Sequence, residues 1–231
     1  MSLFKKTEAK TTKSPKGCMV VLNNPAGGDT LKVLEKLLLI AKKRSETCAV
    51  AELPCLGIPR IAYRFGIEPE AAQTVDQLII DYDRGFVQDI HRYLYTHDGW
   101  DGLLIQPGSR PDMPTILKLQ NEQTLMEIPG YLKSLLAGYN WIFVVTQGQM
   151  IHPMTFFSLR EADHVVLVID NPIDLIRTYA TFKTLKQDYS INENRMTMFS
   201  FTKNSDFKEH KIVSRPEELF QTWRDQFDRH N

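Results

Sequence analysis

CMVVLNNPAGGDTLKVLEKLLLIAKK, residues Cys18 to Lys43, places an apolar run, a glycine-bearing turn and an amphipathic stretch end to end. Every position from Met19 to Leu22 is apolar, so the run belongs in the middle of a sheet covered on both faces. Leu31 to Lys43 then repeats at helical spacing, with Val33, Leu34, Leu37, Leu38 and Ala41 on one face. A strand, a glycine turn and a helix in that order form the frame of a phosphate-binding loop. Where such a loop needs a lysine, this one has Asp29.

The same alternation continues along the chain. Apolar or β-branched runs recur at Ala49–Leu53, Leu103–Gln106, Ile142–Val145, Val165–Ile169 and Met196–Phe201, with helical patterns between most of them. Val75, Leu78, Ile79 and Tyr82 repeat at helical spacing, and Ile173 to Leu185 brings Ile176, Tyr179, Ala180 and Lys183 onto one face. Ser214 with Glu217 three residues on predicts a capping box, followed by an apolar stripe of Leu219, Phe220, Trp223 and Phe227. The polar side of this last helix mixes Arg224 and Arg229 with Asp225 and Asp228, which favours packing on the sheet over lying on a membrane. The pattern predicts an α/β fold: a doubly wound, mostly parallel sheet of about six or seven strands with helices on both faces. Ligands in such sheets bind at the carboxyl ends of the strands, so the informative residues are those just after each run.

A length of 231 residues, with 42% hydrophobic and 24% charged residues, suits one substantial domain over 17–231. Residues 1–16 carry five lysines against one glutamate and are expected to form a flexible basic tail. Lys+Arg and Asp+Glu are 28 each, so no global field favours nucleic acid, an anionic membrane or an acidic substrate. Cys18, Cys48 and Cys55 are odd in number and lack a paired metal spacing, as reduced core residues of a cytoplasmic protein would be. The longest apolar runs, such as Leu37 to Ala41, fall far short of a membrane span.

Three segments carry a resemblance to a known family. In order they are VVLNNPAGGDT, then CAVAELPCLGIPRIAYRFGIEPEAAQTVDQLI, then YNWIFVVTQGQMIHPMTFFSLREADHVVLVIDNPIDLIRTYATFKTL. The series, spanning about residues 17 to 205, resembles the ParA/MinD group of P-loop ATPases (SIMIBI/MinD-like) and is most similar to its CpaE/TadZ branch, linked with pilus assembly and localisation. The family loop K-G-G-x-G-K-[ST]-T falls on Asn24, Pro25, Ala26, Gly27, Gly28, Asp29, Thr30 and Leu31. Only Gly28 and Thr30 match. The family's signature lysine, which reaches a dimer partner's nucleotide, falls on Asn24, and its phosphate-gripping lysine on Asp29. Its Asp-x-Asp pair after the second strand falls on Glu52 and Pro54, and its magnesium-side aspartate on Thr146.

These departures strike at the chemistry. A phosphate loop works because N–H groups, a helix N-terminus and a lysine converge on phosphate oxygens while hydroxyl and carboxylate groups hold magnesium. Losing one charged hydrogen bond costs about 1.5–3 kcal/mol, and an aspartate adds repulsion of similar order. Together they imply a loss on the order of 10² to 10⁴ in affinity. Proline at position 25 also removes an N–H donor.

The expectation is therefore a pseudo-ATPase with no catalytic residue, no metal and no nucleotide cofactor. Its degenerate site would comprise Asn24, Gly27, Gly28, Asp29, Thr30, Glu52 and Thr146. The resemblance implies a scaffold for a protein partner, either a secretion or pilus ATPase or a related MinD-like protein, and leaves open whether it is a homodimer, a heterodimer with an active relative or a monomer. The alternative is a divergent ATP-binding switch or weak ATPase in which Gly28, Thr30 and Glu52 still hold ATP and magnesium while a lysine from elsewhere in the chain or from a partner supplies charge.

Asp29 or Thr30 is expected to cap the helix that starts at Leu31, since either side chain can accept from its first N–H groups. A sharper option has Asp29, Glu52 and Thr146 together binding a cation or a basic partner side chain. His91 and His97, six apart, do not share a helical face and are expected at the surface. His152 follows a strand end without a nucleophile motif beside it. Arg110, in PGSRPDMP, is expected in an exposed loop, and Asn171 with Pro172 is expected to start a helix.

Overall fold

A computed structural model of the chain describes residues 15–53, 59–70, 73–87, 89–105, 119–121, 123–146, 148, 150, 152–171, 173–202 and 212–230, the side chains of 228–230 excepted. Residues 1–14 of the expected tail, Pro54, Cys55, the loop with Arg110, and Pro172 lie outside the described residues.

Among the described residues eight strands form one sheet: β1 (Cys18–Asn23), β2 (Cys48–Glu52), β3 (Tyr95–His97), β4 (Trp100–Leu103), β5 (Trp141–Val145), β6 (His164–Ile169), β7 (Met196–Ser200) and β8 (Ile212–Val213). Their order across the sheet is β3-β4-β2-β5-β1-β6-β7-β8. Every neighbouring pair is parallel except β3–β4. Helices α1 (Leu31–Lys43), α2 (Arg60–Phe65) and α7 (Pro216–His230) cover one face. The other carries α3 (Val75–Asp83), α4 (Thr124–Leu135), α5 (Pro153–Glu161) and α6 (Asp174–Gln187). Alternation along β1 feeds both layers: Met19 and Val21 join the core under α3–α6, Val20 and Leu22 the core under α1 and α7.

The sheet has more strands than the sequence pattern predicts because β3 and β8 are short edge strands without long apolar runs. β3 pairs through a tight hairpin at Asp98 (φ 43) and Gly99 (φ 88), the two positive φ values that a two-residue turn of this hand demands. β4 begins at Trp100, ahead of the expected run at Leu103, because the hairpin sets its register.

The predicted inner faces of α1, α3 and α7 are the observed ones. That of α6 is not. Asp174, Thr178, Phe182 and Leu185 point inward, whereas Ile173 and Ile176 are 78% and 76% exposed. Phe182 and Leu185 reach the core from the helix's second half, and they carry Thr178 and Asp174 inward on the same stripe, four residues apart.

The capping box at Ser214 also gives way. α7 starts at Pro216, whose missing N–H suits the first helical position. Arg215 is therefore the flanking residue, and its Nε donates to Glu218 Oε1 at 2.6 Å.

Beneath α7, Trp141 Nε1 donates to Glu46 Oε2 at 2.7 Å, and Arg224 approaches Glu46 Oε1 at 3.4 Å. This pins the closing helix to the sheet through a buried carboxylate. No helix among the described residues is long and apolar enough to cross a membrane.

Candidate functional site

From β1 the chain crosses one face of the sheet to β2, while from β5, beside β1, it crosses the other face to β6 on β1's far side. The loops after β1 and β5 thus leave in opposite directions, and the crevice between them is where this architecture places a ligand. Register brings the predicted residues together there. Glu52 pairs with Val145 and Leu22 with Val145 on the other side, while Thr146 N donates to Leu22 O at 3.2 Å.

The loop after β1 is bonded partly to itself and partly to α6. Asn24, at the signature-lysine position, is 1% exposed. Its Oδ1 accepts from Ala26 N at 2.9 Å, its carbonyl from Gly27 N at 2.9 Å, and its Nδ2 donates to Asp174 Oδ2 at 3.2 Å. Pro25 has no N–H to offer. Asp29 Oδ1 accepts from Leu31 N at 2.7 Å, which resolves the capping alternative. Asp29 caps α1 with its side chain, whereas Thr30 contributes its carbonyl to Val33 and Leu34. The aspartate also sits at the positive end of the helix dipole.

Packing closes the loop further. A Cβ on Gly28 would stand 2.4 Å from Asn24 Nδ2 and 3.2 Å from Asp174 Oδ2. Gly148, at φ +76, would place a Cβ 2.9 Å from the Asn24 carbonyl. The loop is therefore clamped by α6 on one side and the segment after β5 on the other.

Asp174, absent from the sequence-predicted set, is 4% exposed. Besides Asn24 it accepts from Asp170 N at 3.1 Å and Asn171 N at 3.3 Å. Asn171 behaves as a helix-start residue, its Oδ1 accepting from Ile173 N at 3.2 Å.

Glu52 is fully buried and meets a residue that sequence reasoning did not select. Its carboxylate accepts from Arg60 N at 3.0 Å and Ile61 N at 3.2 Å. The Arg60 side chain turns back so that Nε lies 3.6 Å from Glu52 Oε1 and Nη2 donates to Thr146 O at 3.0 Å. Burial pushes the Glu52 carboxyl up to about 7, with the Arg60 charge and the two N–H bonds pulling against it. Thr146 Oγ1 accepts from Asn23 Nδ2 at 2.8 Å. Of the three residues suggested for a cation, Glu52 and Thr146 do converge on one, and it is the chain's own arginine. Asp29 is turned to Leu31 N instead. The one sequence signal for Arg60 was a basic residue after a proline, just beyond β2, at the carboxyl edge.

The remaining candidates do not join this site. His91 is exposed, and His97 packs edge-on against Phe65 and Trp100. His152 flanks α5, its two ring nitrogens are buried without a hydrogen-bond partner, and burial lowers its pKa. Cys18 and Cys48 are free thiols, and burial pushes Cys48 up to about 12. Among the described residues no cluster of histidine, cysteine or acidic side chains could hold a metal ion.

The architecture is similar to that of solved plasmid partition proteins and of MinD. A plasmid partition protein from Borrelia burgdorferi superposes with a TM-score of 0.64 over 95% of this chain and 100% of its own, at 13% identity. The cell division ATPase MinD of Pyrococcus furiosus gives 0.59 over 89% of this chain and 80% of its own, also at 13% identity. A chain of the MinC:MinD cell division protein complex of Aquifex aeolicus gives 0.59 over 89% of this chain and 85% of its own, again at 13% identity. No protein-family model matches the sequence, and no curated protein matches it.

Proposed function

We propose that this chain is a ParA/MinD-like pseudo-ATPase with a degenerate Walker A loop, working as a protein-binding scaffold or localisation factor without hydrolysing nucleotide. The observation that carries this reading is a loop headed by Asp29 and partly bonded to itself. The N–H groups of Ala26, Gly27 and Leu31 are bonded to Asn24 and Asp29 of the same loop, and position 25 has none. A phosphate would have to displace these bonds and face the Asp29 carboxylate without a lysine. Asp29 fills the electrostatic place at the start of α1 that an anion takes in an active loop.

The resemblance of the sequence to the CpaE/TadZ branch supports a role in placing a pilus or secretion assembly within the cytoplasm. The likeness to a chain of the Aquifex MinC:MinD complex supports a protein partner. Ile173 and Ile176 of α6 supply exposed apolar surface beside the loop for such a contact. Neither nucleic acid nor membrane insertion enters this reading.

The competing reading, a divergent ATP-binding switch, draws on Thr30. Its hydroxyl, at the magnesium-binding position of the family motif, is fully buried and has no hydrogen-bond partner. A melting scan with and without millimolar ATP, ADP and magnesium separates the two, run beside an Asp29→Lys variant. A ligand at 100 times its dissociation constant adds about 2.7 kcal/mol, a rise of several degrees in a domain of this size. The scaffold reading expects no rise in the wild type. A saturable, magnesium-dependent rise overturns it.

A further inference from the structure

Arg60 is placed oddly for a surface arginine. α2 lies over the α1 face with Ile61 and Ala62 buried, and its exposed side was open to an arginine pointing to water, as Arg64 does when it pairs with Glu35 at 2.7 Å. Arg60 turns the other way. Its guanidinium reaches across the carboxyl ends of β2 and β5, toward a buried carboxylate and a backbone carbonyl.

The polar groups around that spot are incompletely matched. Arg60 Nε and Asn23 Oδ1 are buried without a hydrogen-bond partner. Asn23 is joined to the cluster through Thr146. The Glu52 carboxylate and the Thr146 carbonyl set two acceptors side by side for a donor from α2. A planar cation with several N–H groups answers them better than a sphere would.

We infer that Glu52 and the Thr146 carbonyl, at the carboxyl ends of β2 and β5, form a guanidinium site occupied by the chain's own Arg60, a built-in ligand that fastens α2 to the sheet. The inference rests on the proposed reading of the neighbouring loop as nucleotide-free, and it names what those two groups hold instead. Arg60 is a positioning residue here. Its charge compensates Glu52, and Glu52 in turn holds the first two amides of α2.

The charged groups around Glu52 make the site pH-sensitive in a defined direction. From α2 comes Arg60. β1 and β5 present Asn23 and Thr146, which do not titrate, and the loop's Asp29 is committed to Leu31 N. Arg60 therefore opposes the burial of the Glu52 charge, and it matters most where that charge is formed, above neutral pH.

The test is chemical rescue. An Arg60→Ala variant is melted at pH 6 and pH 8.5 in millimolar guanidinium chloride, with sodium chloride at equal ionic strength and with magnesium chloride as controls. The wild type is treated alike and is also scanned with ATP and magnesium. The expected result is a larger loss of melting temperature at pH 8.5 than at pH 6. Guanidinium should then restore at least half of that loss, saturably, in the variant alone.

Equal losses at the two pH values, no restoration, or restoration by magnesium but not guanidinium would each overturn the inference. The nucleotide scan of the wild type judges the pseudo-ATPase reading separately. If Arg60→Ala does not fold, Arg60→Lys is the second variant. It keeps the charge but not the fork, and hydrogen exchange at the Arg60 and Ile61 amides should speed up relative to wild type. Unchanged exchange counts against the site.

Discussion

Replacing Glu52 with glutamine should change how stability depends on pH. The carboxyl is fully buried and raised from 4.5 in the unfolded chain to about 7 in the fold, desolvation outweighing the Arg60 charge. For an acid whose folded pKa is raised, the contribution to stability is fully present below about pH 4.5 and is lost as pH climbs through 7. A tenfold change in proton affinity corresponds to about 1.4 kcal/mol, so the whole window amounts to about 3 kcal/mol.

Denaturant unfolding at steps from pH 5 to pH 8.5 supplies the assay. Wild-type unfolding free energy should fall by that order across the window through this group. Glu52→Gln, which stays neutral, should lack that component. The variant should be the weaker protein at pH 5, where it has traded a carboxyl for an amide against the α2 amides. The gap should narrow or reverse by pH 8.5. Parallel curves for the two proteins across the whole range would refute the argument, because they would mean that Glu52 does not change its charge on folding.

Other substitutions probe the clamp and the packing. Asp29→Ala removes the acceptor for Leu31 N and should cost about 1 kcal/mol, read as a fall of a few degrees in melting temperature. Gly148→Ala puts a Cβ 2.9 Å from the Asn24 carbonyl at φ +76. It should cost about 1–3 kcal/mol, whereas an alanine at Gly99, also at positive φ but with open space around it, should cost less. Trp141→Phe deprives the buried Glu46 of its indole donor and should destabilise by about 1–3 kcal/mol in thermal unfolding. On α6, Phe182→Ala should cost about 3–5 kcal/mol, while Ile176→Asp should stay within about 0.5 kcal/mol, since that isoleucine faces solvent. The reverse ranking would mean that the helix presents its other face.

Sequence alone was enough to set the sheet's class and to predict that the candidate residues share one edge. Apolar runs alternating with helical stripes leave few arrangements open to a chain of this length. The residues after β1, β2 and β5 then had to meet at one edge, as Asn24, Glu52 and Thr146 do. The cap on α1 was legible for the same reason: it is local, a side chain bonding an amide two residues on. Even β3 left a local mark, the Asp98–Gly99 pair of a tight hairpin.

Long-range packing settled what no window of residues holds. Asn24 is tied to Asp174 across 150 residues, and Arg60 to the Thr146 carbonyl across 86. Partners so far apart in sequence show no spacing or periodicity, since only the folded sheet brings them within bonding distance. The orientation of α6 belongs with them. Its sequence offers an isoleucine–tyrosine stripe and a mixed stripe ending in Phe182 and Leu185, and the sheet chose the second because those large side chains fill the core while Asp174 reaches the loop.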